Sequence, residues 1–146
     1  MMIYLIHFER PLSHAQHYLG SSTRVLARLA EHAAGNGARI TEVLWELGEE
    51  WVLAAAFELK PNSRKTLREI ESLAKVRHCS PVYCPICQKG KNVAPRWTRQ
   101  IPIPRLNSRD IRQWTASELI ASRLQGLTGS TETHFAKTCQ RKEESN

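Results

Sequence analysis

The sequence predicts a small α/β (α+β) domain with few strands. The expected order is strand, strand, helix, helix, strand, helix, followed by an irregular basic C-terminal extension. Three observations carry this. The runs IYLIHF (3–8) and WVLAAAFEL (51–59) suit buried strands, and the apolar residues between and after them recur at helical spacing. Beyond residue 79 the texture changes to Pro, Cys and Lys/Arg. A chain of 146 residues has the usual length of one domain and can bury a real core.

In order along the chain, IYLIHF is the first strand. ERPLSHAQ (9–16) contains Pro and Ser and reads as a loop, and HYLGSS (17–22) as the returning strand. So short a link makes the two antiparallel neighbours. Ser22 or Thr23 is placed to cap the next helix, whose apolar positions are Leu26, Leu29, Ala30 and Ala33 and which ends at Gly35 to Gly37. Ile40, Val43, Leu44 and Leu47 repeat the spacing in a second short helix closed by Gly48. Residues 51–59 then form a central strand, which KPNS breaks. Asn62 or Ser63 is expected to cap a third helix running to roughly Arg77, with Leu67, Ile70, Leu73 and Ala74 on its apolar face. Residues 79–105 read as an irregular extension or linker. Ser108 could start a short helix, and Thr115 with Glu118 makes a capping-box pattern. From Gly126 the chain is polar and expected to be disordered. The organisation predicted is therefore 1–78, 79–125 and 126–146.

The formal net charge of +7 is unevenly spread. Residues 1–59 hold four Lys/Arg against seven Asp/Glu, whereas residues 60–113 hold thirteen against three. That basic third favours a polyanionic partner, nucleic acid first. No apolar run is long enough to span a bilayer and no signal peptide is visible, so the expectation is a cytoplasmic protein without a membrane partner. The sequence does not indicate an oligomeric state.

Arg24, Arg28 and His32 fall at four-residue intervals on one helix stripe, directly after Tyr18 and Gly20. Taken alone, these are a solvated helix face, a tyrosine at the core margin and a turn glycine. Glu71 lies at i+4 from Leu67, at the edge of the third helix's apolar face, and alone would pair with Lys75 one turn on. Taken together with Tyr4, the set resembles the GIY-YIG nuclease superfamily. MIYLIHF stands where that family has its first triplet and HYLGSS where it has the second, while RLAEH supplies the helix arginine and a histidine one turn later. Met2 replaces the glycine of the first triplet and Leu19 the isoleucine of the second. The resemblance covers roughly residues 2–78.

The resemblance implies a three-stranded antiparallel sheet flanked by helices and a metal-dependent endonuclease acting on DNA. The family's metal-binding glutamate falls on Glu71 or Glu69, and helix geometry prefers Glu71. There it would hold Mg²⁺ or Mn²⁺. Arg28 would meet the transition-state charge, Tyr4 would act as general base, Tyr18 would position water or phosphate, and His32 would orient Tyr4 or contact a phosphate oxygen. Gly20, Arg24 and Lys75 are candidates for contact with the DNA backbone.

The cysteines stand apart. Cys79, Cys84 and Cys87, beside His78, offer a Cys-x4-Cys-x2-Cys pattern, and Cys139 could complete four ligands. A second Cys-x2-Cys is missing, so structural Zn²⁺ ranks behind free thiols. His14 and His17 carry no distinguishing pattern. Trp97 and Trp114, among Arg96, Arg99 and Arg112, could stack on bases but more simply cover the core. The alternatives to a nuclease are a non-catalytic nucleic-acid-binding module on the same fold, or a zinc-stabilised interaction protein.

Overall fold

Met2, Ile3, Tyr4, Leu5, Ile6 and Phe8 are all buried. The first strand, β1 (Met2–Leu12), therefore runs through the middle of the sheet with apolar side chains on both faces, as a continuous apolar run requires. The computed structural model describes residues 1–78 and 80–113. β1 pairs antiparallel with β2 (Ala15–Ser22) on one side and with β3 (Trp51–Leu59) on the other. A short strand, β4 (Thr98–Ile101), pairs antiparallel with β3 and gives the sheet order β2-β1-β3-β4.

The expected three-stranded sheet is thus corrected to four strands, and the fourth comes from the segment expected to be irregular. The reason is local. Thr-Arg-Gln-Ile carries no apolar alternation, so nothing in it signals a strand. It becomes one through its ladder with β3, from Ala56↔Ile101 to Leu59↔Thr98. Buried Thr98 anchors the entry by donating its hydroxyl to the Pro95 carbonyl at 2.7 Å.

The hairpin is longer than expected. β1 continues through Glu9 and Arg10 to Leu12, and Ser13 turns the chain in the left-handed region with φ 56°. The ladder shifts register between His7 and Leu12, where Pro11 has no N–H to give.

Helix α1 (Val25–Ala33) has Arg24 at its N-cap, whose guanidinium has no acceptor to offer the first turn, and the Ser22 hydroxyl accepts from the Arg24 N–H. Helix α2 (Arg39–Glu46) follows. Helix α3 (Leu67–Val76) is capped by Thr66, four or three residues later than Asn62 and Ser63. Thr66 Oγ1 accepts from the Glu69 N–H at 3.2 Å and the Glu69 carboxylate accepts from the Thr66 N–H at 3.0 Å, a capping box that commits Glu69. Helix α4 (Ser108–Gln113) docks through Ser108, whose hydroxyl accepts from the Trp51 N–H, and through Arg112, which donates to the Ala33 carbonyl at 3.0 Å and to Glu50 at 3.2 Å. The capping pattern at Thr115 and Glu118, Trp114, Cys79, Cys139 and the polar tail from 126 lie outside the described residues.

Alternation along β1 divides the core. Tyr4, Ile6 and Phe8 pack under α1, α2 and α4 with Leu29, Leu44 and Ile111. Ile3 and Leu5 pack under α3 with Ile70, Phe57 and Cys84. His7 continues the second series, which decides where it points.

Candidate metal centre

The hairpin register pairs Tyr4 with Gly20, Leu5 with Leu19 and His7 with His17. His7 and His17 therefore stand directly across from each other, with ring centroids 4.9 Å apart. After α3 the chain turns back over this same face through residues 80–91. Cys84 is buried against Ile3, Leu5 and Phe57, and Cys87 lies one turn further on. The four side chains converge. All four donor atoms, an imidazole nitrogen from each histidine and a sulfur from each cysteine, lie within 4.8 Å of one another.

Their spacing can be compared with a tetrahedral zinc site. Bonds of about 2.05 Å to nitrogen and 2.3 Å to sulfur give donor–donor edges of about 3.3 Å for N–N and 3.6 Å for N–S. The observed His7 Nδ1 to His17 Nε2 distance is 3.1 Å. Cys84 Sγ lies 3.5 Å and Cys87 Sγ 3.7 Å from His7 Nδ1, and Cys87 Sγ lies 3.3 Å from His17 Nε2. Each distance is within a few tenths of an ångström of a tetrahedral edge.

The protonation states follow from the surroundings. Burial, with Arg105 nearby, holds His7 below the usual imidazole value. Burial and the neighbouring His7 hold His17 at about 4. Both rings are thus neutral near pH 7, the form that ligates a metal. Desolvation and the adjacent Cys84 push the Cys87 thiol up to about 11, so a cation entering the site must displace a proton there.

Of the residues expected to form a nuclease centre, Tyr4, Tyr18 and His32 gather on the opposite face, in a different state. Tyr4 is buried, and its hydroxyl lies 2.8 Å from His32 Nε2. His32 Nδ1 lies 2.9 Å from Thr41 Oγ1, which donates to the Ala38 carbonyl at 2.8 Å, and the Ala38 N–H reaches the same Nδ1 at 3.3 Å, so both ring nitrogens have buried partners. Burial raises the Tyr4 phenol well above its ordinary value despite the nearby Arg28, which is the reverse of what a general base needs. Tyr18 packs its ring 5.2 Å from that of His32. Gly20 leaves room for the Tyr4 ring, since a Cβ there would sit 2.5 Å from its hydroxyl oxygen. Arg28 is half-exposed and paired with Glu31 at 2.8 Å, and Arg24 is exposed. The cationic stripe of the sequence therefore divides, with His32 wholly inside, Arg28 at the margin beside Tyr4 and Arg24 outside.

Glu71 lies on the other face. Its carboxylate accepts from the Ser21 hydroxyl and pairs with Lys75 Nζ at 2.7 Å. Lys75 in turn sits 5.7 Å from the centre of the Tyr18 ring. The carboxylate is satisfied by its own neighbours.

These observations correct the expected cofactor. Among the described residues, the side chains that converge as metal ligands are His7, His17, Cys84 and Cys87, and Glu71 is not among them. Imidazole and thiolate donors suit zinc, whereas Mg²⁺ and Mn²⁺ take oxygen. The expected Mg²⁺- or Mn²⁺-dependent endonuclease is corrected with it. Four protein ligands would close the coordination sphere of a bound zinc, which is the pattern of a structural site and would leave no open position for a reacting water. Structural zinc accordingly moves ahead of free thiols. Of the expected candidates Cys79, Cys84 and Cys87, the last two are in the cluster, joined by two histidines of the hairpin, while Cys79 lies outside the described residues and the adjacent His78 is exposed. Sequence reasoning missed His7 and His17. The signal was there in the hairpin, because any register that places Tyr4 opposite Gly20 also places His7 opposite His17.

No protein-family profile, curated protein or solved structure matches the chain. Among the described residues no helix is long and apolar enough to cross a membrane.

Proposed function

We propose that the chain is a zinc-stabilised interaction module without catalytic activity, and that its partner is nucleic acid. The observation that carries the first part is the convergence of two cross-strand histidines with a Cys-x2-Cys turn at tetrahedral spacing. Zinc at this point ties the distal half of the β1–β2 hairpin to the segment after α3, and so holds the irregular residues 80–97 on the sheet. The partner follows from charge. Residues 60–113 carry thirteen Lys/Arg and three Asp/Glu, and they include α3, the metal-held segment and β4.

Cobalt substitution tests the metal. The native protein takes up one Co²⁺ and develops the thiolate-to-metal absorption of a tetrahedral sulfur-containing site, which zinc then displaces. Cys84→Ser and His17→Ala each weaken uptake. Uptake that persists unchanged in both variants refutes the assignment. Binding to a labelled oligonucleotide that weakens steeply as salt is raised supports the partner, and the absence of any binding refutes it.

A further inference from the structure

The metal-held segment forms one wall of a groove that the proposed function does not yet use. Its other wall is the exposed side of α3. The cavity measures about 290 Å³ and is lined by Trp97, Tyr83 and Leu73 together with Lys65, Arg77 and Arg96, with no acidic residue. Trp97 is its most constrained member. Its φ of 72° is left-handed, a conformation that bulky side chains rarely adopt. The backbone is held there on both sides, by the Trp97 carbonyl accepting from the Lys60 N–H at 2.8 Å and by the Thr98 N–H donating to the Pro95 carbonyl at 3.0 Å. The indole is half-buried beside the core around Ile70 and lines the groove. The Arg96 guanidinium carbon lies over it, 4.9 Å from the ring centre, so a flat ligand reaches that face by displacing an exposed, flexible side chain.

We infer that this groove is a binding site for single-stranded nucleic acid, in which a base stacks on Trp97 while Arg96 and Lys65 hold flanking phosphates. The inference rests on the reading that the partner is nucleic acid, and it names the strand form and the place. An aromatic shelf beside cations is what an unpaired base with its phosphodiester requires, since every base offers a π-face and every linkage a negative charge. A duplex keeps its base faces stacked against one another and can use only the cations. An acidic peptide matches the charge but offers the indole no stacking plane of its own. The volume also fits: it is at the lower end of small-molecule pockets and suits one base more than an extended ligand.

The test uses the full zinc-loaded chain and fluorescence anisotropy with a labelled oligothymidylate of about 12 nucleotides, as a single strand and as its duplex. The native protein is expected to bind the single strand more tightly than the duplex. Trp97→Gly, which removes the indole and suits the left-handed backbone, is expected to weaken single-strand binding about tenfold and leave duplex binding nearly unchanged. Trp97→Phe retains a ring and should recover most of the loss. Arg96→Glu, a surface change, weakens both forms. Cobalt uptake by each variant reports that the metal centre and the wall it holds are intact.

Native-like single-strand binding by Trp97→Gly overturns the inference, as does equal affinity for strand and duplex. Displacement of the strand by polyglutamate at matched charge also overturns it. If the native protein binds neither form, the nucleic-acid reading falls as a whole. If only the dependence on Trp97 is missing, that reading stands and this site alone is lost.

Discussion

Removing the metal should destabilise the protein by an amount set by how much chain it closes. His17 and Cys87 are 70 residues apart in sequence, and they are the ligands closest in space between the two halves of the site. A cross-link around a loop of about 70 residues restricts the unfolded chain by about 4 kcal/mol at 25 °C in the chain-entropy description. For a chain of this size each kcal/mol moves the thermal midpoint by about 2–4 °C, so chelation should lower it by about 8–16 °C. Free zinc above saturation raises it again by mass action. The measurement is thermal and urea unfolding of the zinc-loaded protein beside the same protein after chelation and removal of the chelator. Cys84→Ala serves as the reference, since it has lost one ligand and should respond weakly to either treatment. If chelation leaves the native midpoint where it was, or if Cys84→Ala shows the full native shift, the metal is not a cross-link.

Three further outcomes follow from other parts of the molecule. Gly20→Ala places a methyl 2.5 Å from the hydroxyl oxygen of Tyr4, which is fixed by its bond to His32. Overpacking of this kind should cost about 1–3 kcal/mol in urea unfolding, and unchanged stability would show that Tyr4 can move aside. Burial, with Arg28 nearby, holds His32 at about 4, below the ordinary imidazole value, so the unfolded state binds the extra proton. The stability this histidine contributes is complete above about pH 6.5 and is lost as pH falls towards 4, a total of about 3 kcal/mol. Unfolding measured against pH should show this slope in native protein and a flatter one in His32→Gln. Thr66→Ala removes the α3 capping box and should lower stability by about 1 kcal/mol, whereas Ser63→Ala, outside the helix cap, should have a smaller effect.

The inner strands were legible because they are buried on both faces. IYLIHF and WVLAAAFEL are nearly continuous apolar runs, and only a central strand needs one. The helices were legible from spacing, including α2, whose β-branched Ile40 and Val43 on their own favour a strand. β4 was not, since four residues with one apolar side chain acquire strand character only from the partner beside them. The caps were misplaced for a related reason. Ser22, Asn62, Ser63 and Thr66 are all good capping residues, and the choice among them depends on where tertiary packing starts each helix. At the site, Cys84 and Cys87 announced themselves by spacing, whereas His7 and His17 are ten residues apart and show no metal-ligand pattern along the chain. Their relation exists only across the ladder. The resemblance drawn on Tyr4, Tyr18, Arg28 and His32 did identify side chains that meet. Their burial and hydrogen bonding, which decide what they do, depend on Thr41 and Gly20 as much as on themselves.

The placement of the two histidine ligands has a consequence for how the hairpin finds its pairing. A slip by one residue would turn every β2 side chain to the other face and set Leu19 or Ser21, in place of Gly20, against Tyr4. Packing against Tyr4 penalises that error at one end of the hairpin. A cation that needs two imidazoles on one face does not tolerate it, because the slipped hairpin offers only one. Zinc in this protein would thus act as a proofreader of strand alignment, rewarding the single register in which His7 and His17 meet and leaving every neighbouring register without its ligand pair.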